Sequence, residues 1–263
     1  RFPEHDSSAL RRLLEETLPP GVRPIVVADG LRPGRWGPAP LPRYLAYVRA
    51  YGGYLVVDDT QALGILGHVP TTERPYGVEG GGSLEWHGME GPDILMVSSL
   101  AKGYGVPMAV LSGSRDMIQR FKAHSETLVH CSPPSVAVLQ AARHALQLNR
   151  DEGEQRRQRL LKVVGDFRQR LLGIGMATTG GPFPVQTITK IAGDAAVAMY
   201  EQLNSQGVRT VLHRQSGTTG PRLSWLLTAR HHIDDICRAV HILAAAYDRE
   251  SVGMIGGLSI RQC

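Results

Sequence analysis

Residues 94–105 read ILMVSSLAKGYG: an apolar run, two serines, then Lys102 among small residues and glycines. The run has the length and composition of a buried strand. A long cation directly behind it raises a question, because lysines ordinarily lie in solvated positions. A surface loop lysine is the simple reading. The flanking sequence supplies another, since in open α/β sheets functional groups gather at the carboxyl ends of strands.

Working outward, strands and helices alternate. RPIVVADG (23–30) is a short β-branched run ending in Asp-Gly. LPRYLAYVRAYGG (41–53) has helical periodicity and a glycine stop, and YLVVDD (54–59) is a second buried-type strand. DILMVSS (93–99) and MAVLSGS (108–114) complete the set. Such alternation predicts an α/β fold with a mostly parallel sheet and helices on its faces. GHVPTTERPYGVEGGGSLEWHG (67–88) is rich in glycine and reads as a surface excursion over the sheet edge. From Pro133 the pattern changes to two long helical stretches, about 133–149 and 152–172. There follow VQTITKI (185–191), a helix near 194–206, VRTVLH (208–213), PRLSWLLT (221–228) and a helix over about 232–247. The chain therefore divides into a large domain (1–149), a small α+β domain (150–250) and a Gly-rich tail (251–263) whose composition favours disorder.

Composition narrows the classes. At 263 residues the chain can bury a substantial core. A formal charge of +5 is a modest excess, and no Lys/Arg block carries interleaved aromatics, so nucleic-acid binding is not implied. The densest basic stretch, RRQRLLKVVGDFRQR (156–170), spaces Leu160, Leu161, Val164 and Phe167 at helical intervals and reads as an amphipathic helix with a wet arginine face. Cys131, Cys237 and Cys263 are far apart and odd in number, which argues against a disulfide framework or zinc knuckle and points to a reducing cytoplasm. His231 and His232 have no metal-ligand company, and no metal is expected. No apolar stretch approaches membrane-spanning length, so no membrane association is expected. The opening RFPEHDSSALRRLLEE (1–16) has no initiating Met and enters a turn and an N-capped helix at once, so an upstream part is expected.

Two charges fall at strand ends: Asp58 after YLVV and Lys102 after ILMV. A carboxylate and an amine delivered to one crevice suit pyridoxal 5'-phosphate, whose aldehyde condenses with a lysine and whose pyridine nitrogen stays protonated against an acid. Other readings stand beside this one. Asp58 can cap a strand end or the next helix, and Ser99 can bond its own backbone. Ser99-x-x-Lys102 has the spacing of penicillin-binding acyl-transferases, but their Ser-Asp-Asn and Lys-Thr-Gly elements are missing. GYGVP lacks the pattern of a nucleotide-binding loop.

The run DGLRPGRWGPAPLPRYLAYVRAYGGYLVVDDTQALGILG (29–67), followed by GGGSLEWHGMEGPDILMVSSLAKGYGVP (80–107), resembles the core of the α-oxoamine synthases. These are fold-type I pyridoxal phosphate enzymes of the 8-amino-7-oxononanoate synthase, glycine C-acetyltransferase and serine palmitoyltransferase type. The resemblance extends back to PEHDSSALRRLLEE and forward through SPPSVAVLQAARHAL to PRLSWLLTARHHIDDICRAVHIL. It implies an aspartate aminotransferase-like fold, a homodimer, and condensation of an amino acid with an acyl thioester, commonly with loss of the carboxylate. Carried over by position, Lys102 is the Schiff-base lysine and the base that moves the substrate Cα proton, Asp58 the pyridinium partner, and Ser99 a phosphate-binding hydroxyl.

Several positions depart from the family pattern. Gln61 stands where the family has a histidine against the cofactor ring oxygen, and an amide does not titrate near neutrality. Pro33, in RPGRWG, replaces an expected serine, and Val129 and His130 replace small hydroxyl residues before SPP. Arg222 is kept, but Ser224 takes the place of a second arginine that grips the substrate carboxylate, and serine cannot replace a bidentate clamp. The family's stacking histidine and glycine-rich phosphate loop belong to an N-terminal portion outside this sequence. Two expectations follow: an acyltransferase with altered substrate handling, its substrate met at Arg222 and Ser224, or a homologue that is non-catalytic or runs another pyridoxal phosphate reaction.

Overall fold

The computed structural model describes residues 1–214 and 220–252. The chain forms two compact units, Arg1–Arg32 with Gly37–Glu154, and Pro33–Trp36 with the chain from Gln155 onward.

The first unit begins with α1 (Ser7–Thr17), whose N-cap Asp6 accepts the Ala9 N–H at 2.8 Å. There follow β1 (Ile25–Asp29), α2 (Leu41–Arg49), β2 (Tyr54–Asp58), the one-turn α3 (Ser83–Trp86), β3 (Ile94–Ser99), β4 (Ala109–Gly113), α4 (Arg115–His124) and α5 (Glu126–His130). Strand order is β1-β2-β3-β4, with β1, β2 and β3 parallel and β4 antiparallel to β3. Residues 100–108 are too few for the crossover of a dozen or more residues that a parallel fourth strand needs. In α2, Leu41, Tyr44, Leu45 and Val48 fall on one stripe and pack with Leu10 and Leu14 against Val26, Leu55, Val57 and Ile94 of the sheet.

The long helix α6 (Val136–Gly173) runs 38 residues without a break. Two helices were expected here. The charged stretch between them holds no proline, and the lone Gly153 does not stop a helix whose flanks propagate through it.

In the second unit β5 (Thr178–Thr179), β6 (Val185–Ala192), β7 (Val211–Arg214) and β8 (Pro221–Leu226) form an antiparallel sheet in the order β5-β6-β8-β7, with α7 (Asp194–Ser205) and α8 (Ile233–Val252). Strand β7 is shorter than the 208–213 run suggested. The apolar stripe read in 156–170 holds, since Leu160, Val164 and Phe167 are buried and Phe167 lies against Trp225 with ring centroids 5.1 Å apart, but the arginine face is not wholly wet, because Arg157 is buried. The tail beyond Val252 lies outside the described residues. Among the described residues, no helix is long and apolar enough to cross a membrane.

Candidate active site

The carboxyl ends of β1, β2 and β3 lie side by side, with Asp29 paired to Asp58 and Asp58 to Val97 in register. Alternation along β2 sends Leu55 and Val57 into the core and turns Asp58 to the opposite, exposed face. Oδ1 of Asp58 accepts the Thr60 N–H at 3.0 Å. The next residue, Asp59, is fully buried. Its Oδ2 accepts the Ser83 N–H at 2.9 Å and its Oδ1 accepts the Ser83 hydroxyl. Burial pushes its pKa above the ordinary carboxylate value, against the opposing pull of the Ser83 bonds. Only glycine fits around this carboxylate: a Cβ on Gly30 would lie 2.1 Å from Oδ1, and one on Gly82 1.9 Å from Oδ2. Asp59 thus pins the end of β2, and Asp58 projects from a fixed base.

The lysine follows β3 in a turn closed on itself. The Leu100 N–H donates to the Met108 carbonyl at 2.8 Å, and the Val106 N–H to the Leu100 carbonyl at 3.1 Å. Leu100 and Val106 anchor the turn in a small apolar cluster with Ala142. At its start the Ser99 N–H donates to Thr60 Oγ1 at 3.0 Å, and Ser99 Oγ accepts the Ala101 N–H at 3.3 Å. A Cβ on Gly103 would come within 2.6 Å of the Leu63 carbonyl oxygen, so the turn packs directly on the chain that follows β2. Gln61 lies half-buried in that segment. Lys102 is exposed and, among the described residues, makes no hydrogen bond or ion pair.

Electrostatics join the two strand ends. The Asp29 carboxyl is pushed up by burial first, then by the charges of Asp58 and Glu4, while Arg32 and Lys102 pull it down. Asp58 and Lys102 therefore both act on one neighbouring group. Asp29 and Asp59 were not singled out from sequence; the doubled acid of VDD, with glycines at 30 and 82, was the available signal for Asp59.

Arg222 and Ser224 belong to the second unit. Ser224 is 2% exposed, and its hydroxyl bonds Thr187 Oγ1 at 2.6 Å and His213 Nδ1 at 3.1 Å. Arg222 Nη1 donates to the Thr189 carbonyl at 2.8 Å, while its Nε is buried without a hydrogen-bond partner. The structure thus places Asp58, Gln61, Ser99 and Lys102 in one unit and Arg222 and Ser224 in the other.

A largely parallel sheet that ends β2 in a carboxylate, with an unpaired lysine in the turn after the adjacent β3, brings both groups to the sheet's carboxyl edge, where open α/β sheets gather functional side chains. The chain belongs to the aminotransferase class I and II family, whose model matches residues 39–234, and within it to the α-oxoamine synthases. It is 32% identical over 230 residues to the 8-amino-7-oxononanoate synthase of Halorhodospira halophila, covering 84% of this chain and 54% of that one. The Geobacter sulfurreducens enzyme of the same name is 32% identical over 254 residues, covering 93% and 60%. A serine palmitoyltransferase solved with pyridoxal phosphate superposes with a TM-score of 0.81 at 19% identity, over 97% of this chain and 62% of that one. The chain spans little more than half the length of the curated relatives it matches.

Proposed function

We propose that this chain carries the cofactor lysine of a pyridoxal 5'-phosphate-dependent acyltransferase, one that condenses an amino acid with an acyl thioester and releases the carboxylate as carbon dioxide. The supporting observation is that Asp58, at the end of β2, and Lys102, in the turn after the adjacent parallel strand β3, both lie near enough for their charges to act on Asp29. The donor set fits the cofactor. Asp58 has one oxygen committed to Thr60 and so can accept a further hydrogen bond from a ring N–H. Lys102 offers an unengaged primary amine, and Ser99, whose oxygen already accepts a backbone N–H, has its own proton left for a phosphate oxygen.

Pyridoxal phosphate, when bound, supplies an electrophilic aldehyde and an electron-withdrawing ring. Asp58 would keep the ring nitrogen of that group protonated. Lys102 would hold the cofactor through Nζ and, as an amine with no other partner among the described residues, could move a proton at the substrate Cα. Gln61 would offer an amide hydrogen bond to the cofactor but could not exchange a proton near neutrality. Arg222 and Ser224 are assigned to the substrate side, where a buried hydroxyl in place of a guanidinium favours weak or altered recognition of a carboxylate. A cytoplasmic homodimer goes with this reading.

Pyridoxal phosphate, an acyl-CoA and a panel including glycine, alanine and serine should give amino-acid-dependent release of free thiol, absent in Lys102→Ala. Thiol release that no amino acid stimulates would contradict acyl transfer. Gln61 and the engaged Ser224 hydroxyl favour a second reading, a homologue that binds the cofactor but runs a different reaction or none. That reading predicts a coloured protein without thiol release.

A further inference from the structure

The excursion that leaves the sheet after β2 closes on itself before α3. Val78 N–H donates to the His68 carbonyl at 2.8 Å, and Gly67 N–H to the Tyr76 carbonyl at 2.9 Å. This bridge sets His68 beside Glu79, and α3 brings up Glu85. Nε2 of His68 lies 3.4 Å from Oε2 of Glu85 and 4.0 Å from Oε2 of Glu79, and one ligand atom of each residue lies within 4.8 Å of the other two. We propose that His68, Glu79 and Glu85 bind one divalent transition-metal ion of the zinc type.

Zinc–nitrogen and zinc–oxygen bonds of about 2.0–2.2 Å place tetrahedral ligand atoms roughly 3.3–3.6 Å apart. The His68–Glu85 pair already has that separation, and Glu79 has to close from 4.0 Å on His68 and from within 4.8 Å on Glu85. Ion pairing alone leaves one feature unexplained. Among the described residues, Oε2 of Glu85 is shielded from solvent yet has no hydrogen-bond partner, although an imidazole nitrogen stands 3.4 Å away. A histidine–carboxylate pair would align an N–H on that oxygen. Here the two atoms stand at the separation of ligands to one ion, with no hydrogen bond recorded between them.

The supports are specific. Glu79 is fixed through its backbone, its N–H donating to Glu154 Oε1 at 2.7 Å and its carbonyl accepting from Asn149 Nδ2 at 2.8 Å. Glu85 presses its carboxylate into the place a Cβ on Gly81 would take, 1.8 Å away. The imidazole ligand selects against magnesium and calcium, which prefer all-oxygen sites. The side chains remain 44%, 73% and 38% exposed, which leaves an entry path and room for water at an open coordination position. Bound there, the ion would staple both limbs of the excursion to α3, next to the Ser83–Asp59 contact that fixes the end of β2.

Titration of tag-free protein, without pyridoxal phosphate, tests this independently of the acyltransferase reading. Cobalt(II) should give saturable visible absorption at one ion per chain, displaced by zinc(II). His68→Gln and Glu85→Gln should each weaken binding about tenfold or more, with unchanged circular dichroism. Glu85→His, which keeps a donor in place, should retain it. Absence of saturable binding in the native protein, or equal affinity in native protein and both glutamine variants, would overturn the proposal.

Discussion

Asp58 and Asp59 are consecutive carboxylates with opposite surroundings, and strand alternation alone separates them. Asp58 is solvated with one oxygen engaged, whereas Asp59 is enclosed with both oxygens bonded to Ser83. Truncating Asp59 to alanine leaves a buried donor pair unmet and should lower stability by about 2–4 kcal/mol, read by urea unfolding. The pH dependence has a definite sign. Because burial raises the folded pKa of Asp59 above its ordinary value of 3.8, its protonation favours the folded state. The stability of the native protein relative to Asp59→Asn is therefore greatest below about pH 3.8 and declines as pH rises through the raised value. An advantage that instead grows with pH through this range would contradict the burial. Sequence alone marked Asp58, since its place after a buried-type strand is a local signal. For Asp59 it offered only the doubled acid and flanking glycines, since the partner Ser83 is 24 residues away and is brought close only by the return of the excursion.

At the scale of elements, the lysine turn is defined by how closely it packs on the chain after β2. Gly103 has no room for a side chain against the Leu63 carbonyl, so Gly103→Ala must lift the turn away. It should lose about 1–3 kcal/mol of stability and weaken pyridoxal phosphate uptake, which a spectral titration would show. Unchanged uptake would mean that the position of Lys102 does not depend on this contact. Apolar runs and periodicity located β1, β2, β3, α2, β6 and α7 within a few residues. They did not reveal the antiparallel sense of β4, which depends on connection length, or the continuity of α6, because a charged stretch with one glycine looks like a break when its packing is unseen. The short α3 had no periodicity to read, yet it carries Ser83 and Glu85.

For the molecule, the two faces of the first sheet carry different burdens. Val57 is fully buried among residues of α1 and α2, whereas Val27, on the neighbouring strand, is 68% exposed. Val57→Ala should cost roughly 2–3 kcal/mol through lost burial and a cavity, and Val27→Ala no more than about 0.5 kcal/mol, both by chemical denaturation. Equal losses would mean that the core is misassigned. The α/β class and the placement of Asp58 and Lys102 after adjacent strands were legible because they follow from strand order and strand ends. The convergence of His68, Glu79 and Glu85 was not, because it arises from the closure of an irregular loop that no periodic pattern encodes.

The central claim is that Lys102 is the covalent anchor of the cofactor. The direct measurement is borohydride reduction of the protein with pyridoxal phosphate, followed by peptide mapping by mass spectrometry. The chain offers four lysines, Lys102, Lys122, Lys162 and Lys190. The account predicts a stoichiometric phosphopyridoxyl group on Lys102 alone. A label spread over all four lysines, or missing from Lys102, would contradict it.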